Sequence, residues 1–299
     1  MRKLPIINWF DKDTIKHLRF PFSFFLLPVF LFALSQSDHI NWFNTIFSFT
    51  ILHLLIFPSG NGYNSYQDRD ESSIGGLKYP PKVTRNLFYV TNLFDILAII
   101  LALIISLLFG LMVLLYITMS RMYSYRGIRL KKFPVIGFLT VFLFQGGFVY
   151  LMSAVAITSR PVNDILNSHT IVCMIVSSLF IGSMYPITQI YQHEADMKDG
   201  VYSLSYMLGY RGTFLFSGGL FLIGTILMSV YFAITLQYLA LFLFPVIIFP
   251  VILFLNQWFI KVSRNNIYAN FENTMKANLL SSACMNTFFL IVLISNRIV

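Results

Sequence analysis

The stretch FTILHLLIFPSGNGYNSYQDRDESSIGG, Phe49 to Gly76, starts as an apolar run and ends in three acids, Asp68, Asp70 and Glu71, around Arg69. Its first half could lie in lipid and its second half could not, so a membrane boundary falls inside it. The whole chain has the same character. Of 299 residues, 57% are hydrophobic, 32 are Phe and only 11% are charged, against about a quarter charged in soluble domains. That balance excludes a soluble globule. Hydrocarbon leaves the backbone no partner but itself, and apolar runs of about 20 residues then imply spanning helices.

Nine such runs are legible, at 19–37, 41–63, 86–107, 109–122, 134–158, 168–191, 212–231, 233–259 and 278–297. The expected fold is all-α: a polytopic membrane protein of nine transmembrane helices in a bundle with cytoplasmic cap loops. It is read as one domain over 1–299, with 1–18 an interfacial N-terminal segment. The third and fourth runs share one apolar stretch, divided at Phe109-Gly110 because it is too long for a single crossing. Lysine and arginine test the count independently. With the N-terminus in the cytoplasm, all but Arg160 and Arg297 of the 21 basic residues fall on the inner side, as the positive-inside rule requires. The C-terminus is then outside, and the expected location is integral to a membrane, a bacterial inner membrane. The net charge of +9 reads as topology and attraction to anionic lipid, not as a nucleic-acid footprint. Cys173 and Cys284 sit in apolar runs and suggest no disulfide framework. The pairs Gly146-Gly147 and Gly218-Gly219 read as points of close helix packing.

Six of the twelve acids gather in two places, one after the second run and one after the sixth. Both are therefore expected on the cytoplasmic side. Asn61, Asn64 and Asp68 are spaced i, i+3, i+7, one face of a helix continuing the second span. Gln192 and Asp196 are i, i+4, with Asp199 three further on. An ideal helix turns Asp70 away from the first face. Carboxylate and amide oxygens are hard ligands suited to magnesium, which commonly takes one or two carboxylates plus phosphate oxygens. Two such faces across a cavity could hold a magnesium-diphosphate between them.

These motifs carry a resemblance. NSYQDRDESSIGG is similar to the first Asp-rich motif of the UbiA-type intramembrane prenyltransferases, and QHEADMKDG to their second. RFPFSFFLLP resembles that family's first span, and YSYRGIRLKKFPVIG the segment between its fourth and fifth. The resemblance runs along essentially the whole chain. Ser65, Ser72 and Gln192 stand where the family pattern has Asp. The activity implied is transfer of an isoprenyl group from a prenyl diphosphate to a lipophilic or aromatic acceptor, dependent on Mg2+.

Carried over by residue, Asp68 and Asp196 are the expected catalytic residues, and Asn64, Asp68, Gln192 and Asp196 the expected metal ligands. Departure of the diphosphate builds negative charge, which calls for cations already in place. Arg19, Arg129 and Lys131 are the candidates for diphosphate contacts, with Arg126 and Lys132 too near in sequence to say which points inward, and Arg69 a weaker one. Tyr123, and after it Tyr66, would face the developing carbocation, and His193 could take the final proton. His53 is expected only to hydrogen-bond within the bundle. Asp95, inside the third span, would bond an acceptor hydroxyl or pair with an arginine. Ser73 to Arg85 would form a lid. A catalytically degenerate membrane protein or a terpene cyclase on the same fold are the rival functions. The Asp-Gly-x-x-Ala-Arg motif of CDP-alcohol phosphotransferases is absent.

Overall fold

The computed structural model describes residues 9–298. Its frame is a set of long helices: α1 (Lys12–Leu18), α2 (Leu27–Gln36), α3 (Trp42–Asp68), α4 (Arg85–Ile105), α5 (Leu107–Ser124), α6 (Pro134–Thr158) and α7 (Ser168–Gln189). After a short α8 (His193–Lys198) come α9 (Leu204–Ile234), α10 (Tyr238–Arg264) and α11 (Phe271–Arg297). Among the described residues eight helices are long and apolar enough to cross a membrane, and a ninth span results if the bent pair at the start is one crossing.

That first span is broken where the sequence suggests continuity. Asp11 caps α1, its Oδ1 accepting from the Thr14 N–H at 2.7 Å. Arg19 then adopts left-handed backbone (φ 49°), Phe20–Phe25 winds as a 3-10 turn, and α2 resumes at a bend of 42°. Proline at 21 and 28 favours such starts because it has no N–H to leave unbonded. Of the interfacial segment read at 1–18, residues 1–8 lie outside the described residues. The rest enters α1, which buries Thr14, His17 and Leu18 against α3 and α4.

The third and fourth spans divide at Ser106, not at Phe109-Gly110. Ser106 is fully extended (φ −168°), and its Oγ caps α5 by accepting from the Phe109 N–H at 3.0 Å. A one-residue break thus turns the chain. Two spans also carry π-helical turns, Ile51–Ile56 in α3 and Phe142–Phe148 in α6, a distortion common near functional sites. Near the second, Gly146 lies so close to α7 that an added Cβ would meet the Ser178 Cα at 2.4 Å, so this pair does serve close packing. Gly218-Gly219 does not: a Cβ at either would meet nothing within 4 Å.

Asp95 pairs with Arg121 of α5 and accepts from Ser59 Oγ at 2.6 Å. Arg121 also covers the Tyr63 ring at 3.9 Å. One ionic cluster thus fastens α3, α4 and α5 together just before α3 reaches its polar end. At the other end of the bundle, Tyr231 and Gln237 both donate to Gln36 Oε1 at 2.9 Å, joining α2 to α9 and the turn after it. His53, buried at 2% exposure, stacks on Phe49 at 4.7 Å.

Candidate active site

α3 ends where Arg69 takes left-handed backbone (φ 55°), its N–H bonding back to the Ser65 carbonyl at 2.9 Å. Up to that point the helix presents Asn61, Asn64 and Asp68 to a cavity of about 260 Å³. Beyond it the chain doubles back and brings Asp70 to the same cavity, against the expectation that Asp70 is turned away. From the opposite wall come Gln189, Tyr191, Gln192 and Asp196. The Asp196 N–H bonds to the Gln192 carbonyl at 2.8 Å, which stacks the two side chains on one face of α8. The two acidic clusters therefore meet across a single cavity.

Asp199 does not join them there. It pairs with Arg129, which reaches Asp68 with its other contact, Nη2 to Oδ1 at 3.2 Å. Arg126 adds a second bond to Asp199 at 3.3 Å. An ionic chain, Asp68–Arg129–Asp199, thus ties the end of α3 to the end of α8 through the Tyr125–Phe133 connection. Arg129 stands behind Asp68 and is not in the cavity wall. Lys131 is: it pairs with Asp68 Oδ2 and lies 3.5 Å from Asn64 Oδ1. Asn64 is held further by Asp68, to which its Nδ2 donates at 2.9 Å, and by Ser124 Oγ, which donates to its Oδ1 at 3.0 Å.

Among the described residues none donates a hydrogen bond to the Asp70 or Asp196 carboxylate. Burial, and after it Asp68, hold the Asp70 carboxyl above its ordinary pKa. Burial likewise pushes Asp196 up to about 7, with the Lys131 charge opposing and Asp70 and Asp68 reinforcing. For Arg129, burial acts against the charge, but Asp199 and Asp68 outweigh it and hold the guanidinium above its ordinary value. The cavity thus has two carboxylates short of positive charge and one, Asp68, already compensated.

That donor set fits magnesium. The charged ligating atoms on offer are carboxylate oxygens with amide oxygens beside them, and acids raised chiefly by burial would be relieved by a cation. Among the described residues no three acids, histidines or cysteines could hold a metal by themselves. The chain would then supply one or two carboxylates and leave other positions to phosphate, the usual arrangement for Mg2+.

Arg19 reaches the cavity from the break in the first span. Its guanidinium donates to the Gly75 and Asn61 carbonyls, both at 2.9 Å, and so joins the first span to α3 and to the connection after it. Ile74 and Gly75 of that connection form part of the wall, and Gln192 Nε2 lies 3.5 Å from the Ser73 carbonyl. Tyr123 lines the cavity too and shares a short hydrogen bond with Tyr185. Gln189 Nε2 donates to Tyr185 at 2.9 Å. Tyr185, Gln189 and Gln145 went unnoticed in the sequence because they lie inside apolar runs with no spacing to mark them.

Other candidates stand elsewhere. Tyr66 packs on Phe88 at 5.2 Å, Arg69 covers Tyr66, and Glu194 is exposed. His193 is neither solvated nor in the cavity wall. It stacks on Tyr210 at 4.9 Å and bonds Ser205 Oγ at 2.8 Å, and burial lowers its pKa to about 4.

A second chamber, of about 610 Å³, adjoins the first. Phe25, Ile181, Met184 and Asn278 line both and form the throat between them. The larger chamber is enclosed by α2, α7, α9, α10 and α11, and no ionisable side chain lines it.

The site is thus a chamber rich in hard oxygens beside an uncharged one, within a membrane-embedded helical bundle. Residues 24–280 match the UbiA prenyltransferase family, and the chain belongs to that family. Solved structures share the fold. The apo UbiA homolog from Aeropyrum pernix K1 is 15% identical with a TM-score of 0.66, over 95% of this chain and 98% of that one. A UbiA homolog from Archaeoglobus fulgidus, bound to DMAPP and Mg2+, is 14% identical with a TM-score of 0.65, over 94% and 99%. A digeranylgeranylglyceryl phosphate synthase is 17% identical with a TM-score of 0.60, over 95% and 97%. No curated protein matches the sequence.

Proposed function

We propose that this chain transfers an isoprenyl group from a prenyl diphosphate to a lipophilic aromatic acceptor within the membrane, in a magnesium-dependent reaction. The observation that carries this reading is the junction of the two chambers. One is lined by Asp68, Asp70, Asp196, Lys131 and Arg19 and suits a charged head, and the other, with no ionisable lining, suits a hydrocarbon tail. The allylic carbon of a diphosphate spanning them would lie at the throat.

Asp196 and Asp70, with the amide oxygens of Asn64 and Gln192, are the residues that would hold Mg2+, and when bound it would neutralise charge gathering on the leaving diphosphate. Lys131 and Arg19 contribute fixed positive charge to the same oxygens. The allylic C–O bond breaks with its electron pair passing to the diphosphate. The Tyr123–Tyr185 pair presents electron-rich rings beside the carbon left behind. An acceptor carbon forms the new C–C bond and releases a proton to water or diphosphate. Phe25, Ile181 and Met184 at the throat keep water from the cation, which would otherwise give the prenyl alcohol. The basic residues clustered around this end favour a cytoplasmic face for it under the positive-inside rule.

Purified protein in lipid nanodiscs, given magnesium, radiolabelled prenyl diphosphates and a panel of phenolic and quinol acceptors, tests the reading. The expected result is a prenylated acceptor and released pyrophosphate. A hydrocarbon formed without any acceptor would make it a cyclase. Absence of both turnover and diphosphate binding at every chain length would overturn the proposal.

A further inference from the structure

Four described residues line both chambers, and three of them, Phe25, Ile181 and Met184, are apolar. The fourth is Asn278 of α11. It is only 5% exposed, its carboxamide bonds no described residue, and its Nδ2 is shut away from water without a partner. Ser281, one turn further along α11, gives its hydroxyl to Met184 Sδ at 3.7 Å and leaves Asn278 unrelieved. On the smaller cavity's wall Gln189 is half-satisfied in a similar way: its Nε2 donates to Tyr185, while its Oε1 is buried and unpartnered. A buried amide that bonds nothing has lost its hydrogen bonds to water and gained none, and most buried polar groups avoid that state. An unpaired carboxamide at the junction of two cavities is therefore placed to receive a polar atom of a ligand.

We propose that Asn278 recognises the acceptor by bonding a ring hydroxyl of an uncharged hydroxy-aromatic, and that it makes the enzyme prefer such acceptors to carboxylated ones. The proposal rests on the transferase reading above and names the acceptor class within it. Position is the first argument. On that reading the allylic carbon lies at the throat, so the acceptor's attacking carbon has to reach the same place. Chemistry is the second. An aromatic carbon attacks a cation when a ring oxygen feeds it electrons, so a hydroxyl arrives close to the reacting carbon. An amide both donates and accepts, and it can bond that hydroxyl whichever way the O–H points. The isoprenyl tail has no polar atom to offer. Charge is the third. Lys131 and Arg19 face the diphosphate, Asp70 and Asp196 line the same cavity, and no ionisable side chain lines the larger chamber. A carboxylate on the acceptor would be buried there without a counter-ion, which is far more costly than burying a bonded hydroxyl.

The experiment compares the wild type with Asn278→Leu in nanodiscs with magnesium and the prenyl diphosphate of highest turnover. Three acceptors are used: 1-naphthol, its methyl ether, and 1-naphthol bearing a ring carboxylate. The wild type should favour 1-naphthol over the other two by about tenfold or more in kcat/KM, roughly what one neutral hydrogen bond contributes. In Asn278→Leu the 1-naphthol KM should rise about tenfold, and its advantage over the ether should shrink to about twofold, because the two changes remove one interaction. Binding of a non-reactive thiolodiphosphate should stay within about twofold, since the head and tail contacts are untouched. A variant that slows both acceptors equally and keeps the preference would make Asn278 a packing residue and overturn the proposal. So would a parallel loss of thiolodiphosphate binding, which would assign Asn278 to the donor. A carboxylated acceptor used as well as 1-naphthol would overturn the uncharged class. Wild-type protein that binds no diphosphate would overturn the transferase reading itself, whereas prenyl transfer indifferent to Asn278→Leu would overturn this inference alone. Should the leucine variant not fold, Asn278→Ala must collapse the same preference.

Discussion

Asp68 and Asp196 face the same cavity from opposite walls, and they are held in opposite ways. Asp68 is 4% exposed and engages both Lys131 and Arg129. The Asp196 carboxylate receives no hydrogen bond from any described residue, and burial raises its pKa to about 7. The first carboxylate is built into the protein's own ionic chain, and the second has no cation of its own. On the reading proposed above, two residues that the sequence offers as equivalent ligands divide into a structural anchor and a receptor. The acid that shares Asp196's condition is Asp70, not Asp68.

The largest effects should fall on turnover, and the contrast lies in what accompanies them. Asp68→Ala and Asp196→Ala should each abolish prenyl transfer in the nanodisc assay while the protein still inserts into membranes. Asp68→Ala should also destabilise the fold by about 3 kcal/mol, because it leaves the buried Lys131 without its carboxylate and Arg129 with Asp199 alone. Asp196→Asn should leave stability unchanged or raise it. Thermal unfolding in detergent with and without magnesium separates the two, and equal destabilisation by both would erase the distinction.

Next in size is the anchor behind Asp68. Arg121→Met strips Asp95 of its cation inside the bundle and should cost about 3 kcal/mol. Because Ser59 and Tyr63 lie on the same helix as Asn64 and Asp68, kcat should fall with it. The partner change Asp95→Asn in the same chain should recover part of the stability. Loss of stability with kcat fully retained would mean that the cluster holds the helices without aiming the ligands.

A smaller effect separates the carboxylates by pH. In metal-free protein the folded-state pKa of Asp196 is raised to about 7 from an ordinary 3.8. Below about pH 4 the group is protonated in both states and adds no penalty. As pH climbs from about 4 to 7 the unfolded chain ionises while the folded one resists, so stability falls across that window and levels above it. Asp196→Asn should flatten this part of the melting profile, whereas magnesium affinity should rise over the same range as the competing proton leaves. A profile identical in wild type and Asp196→Asn would place the unpaired charge elsewhere.

What the sequence made legible follows from what is local. Spans come from run length and the Asn61-Asn64-Asp68 face from helical period, because each is a property of one segment. The misses are all matters of where a segment goes next. Nothing in QDRDE announces that Arg69, a non-glycine, adopts left-handed backbone and returns Asp70 to the cavity. Ser106 rather than Gly110 breaks the apolar stretch because its hydroxyl caps the next helix, a choice that composition blurs. His193 reads as a helix-end base until Tyr210 and Ser205 are seen to enclose it. The two glycine pairs look alike in sequence and differ only in whether α7 or open space lies opposite. Tyr185 and Gln189 needed the neighbouring helix to acquire meaning.

The finest test of the comparison lies at Gln192, the neutral member of the receptor side. It stacks one turn from Asp196 and lies near the Ser73 carbonyl at 3.5 Å, so its oxygen is available to the cavity. Gln192→Asp adds a carboxylate where the unpaired acids already repel one another. Without metal it should therefore raise the Asp196 pKa further and lower the melting temperature slightly. With metal the same charge becomes a ligand, and magnesium affinity should rise by about tenfold, since affinity in oxygen sites follows the number of charged ligands. The two responses have opposite signs only if the cation sits between α3 and α8. Isothermal titration with magnesium and a thiolodiphosphate reads the second, and a weaker or unchanged affinity would place the cation away from α8 altogether.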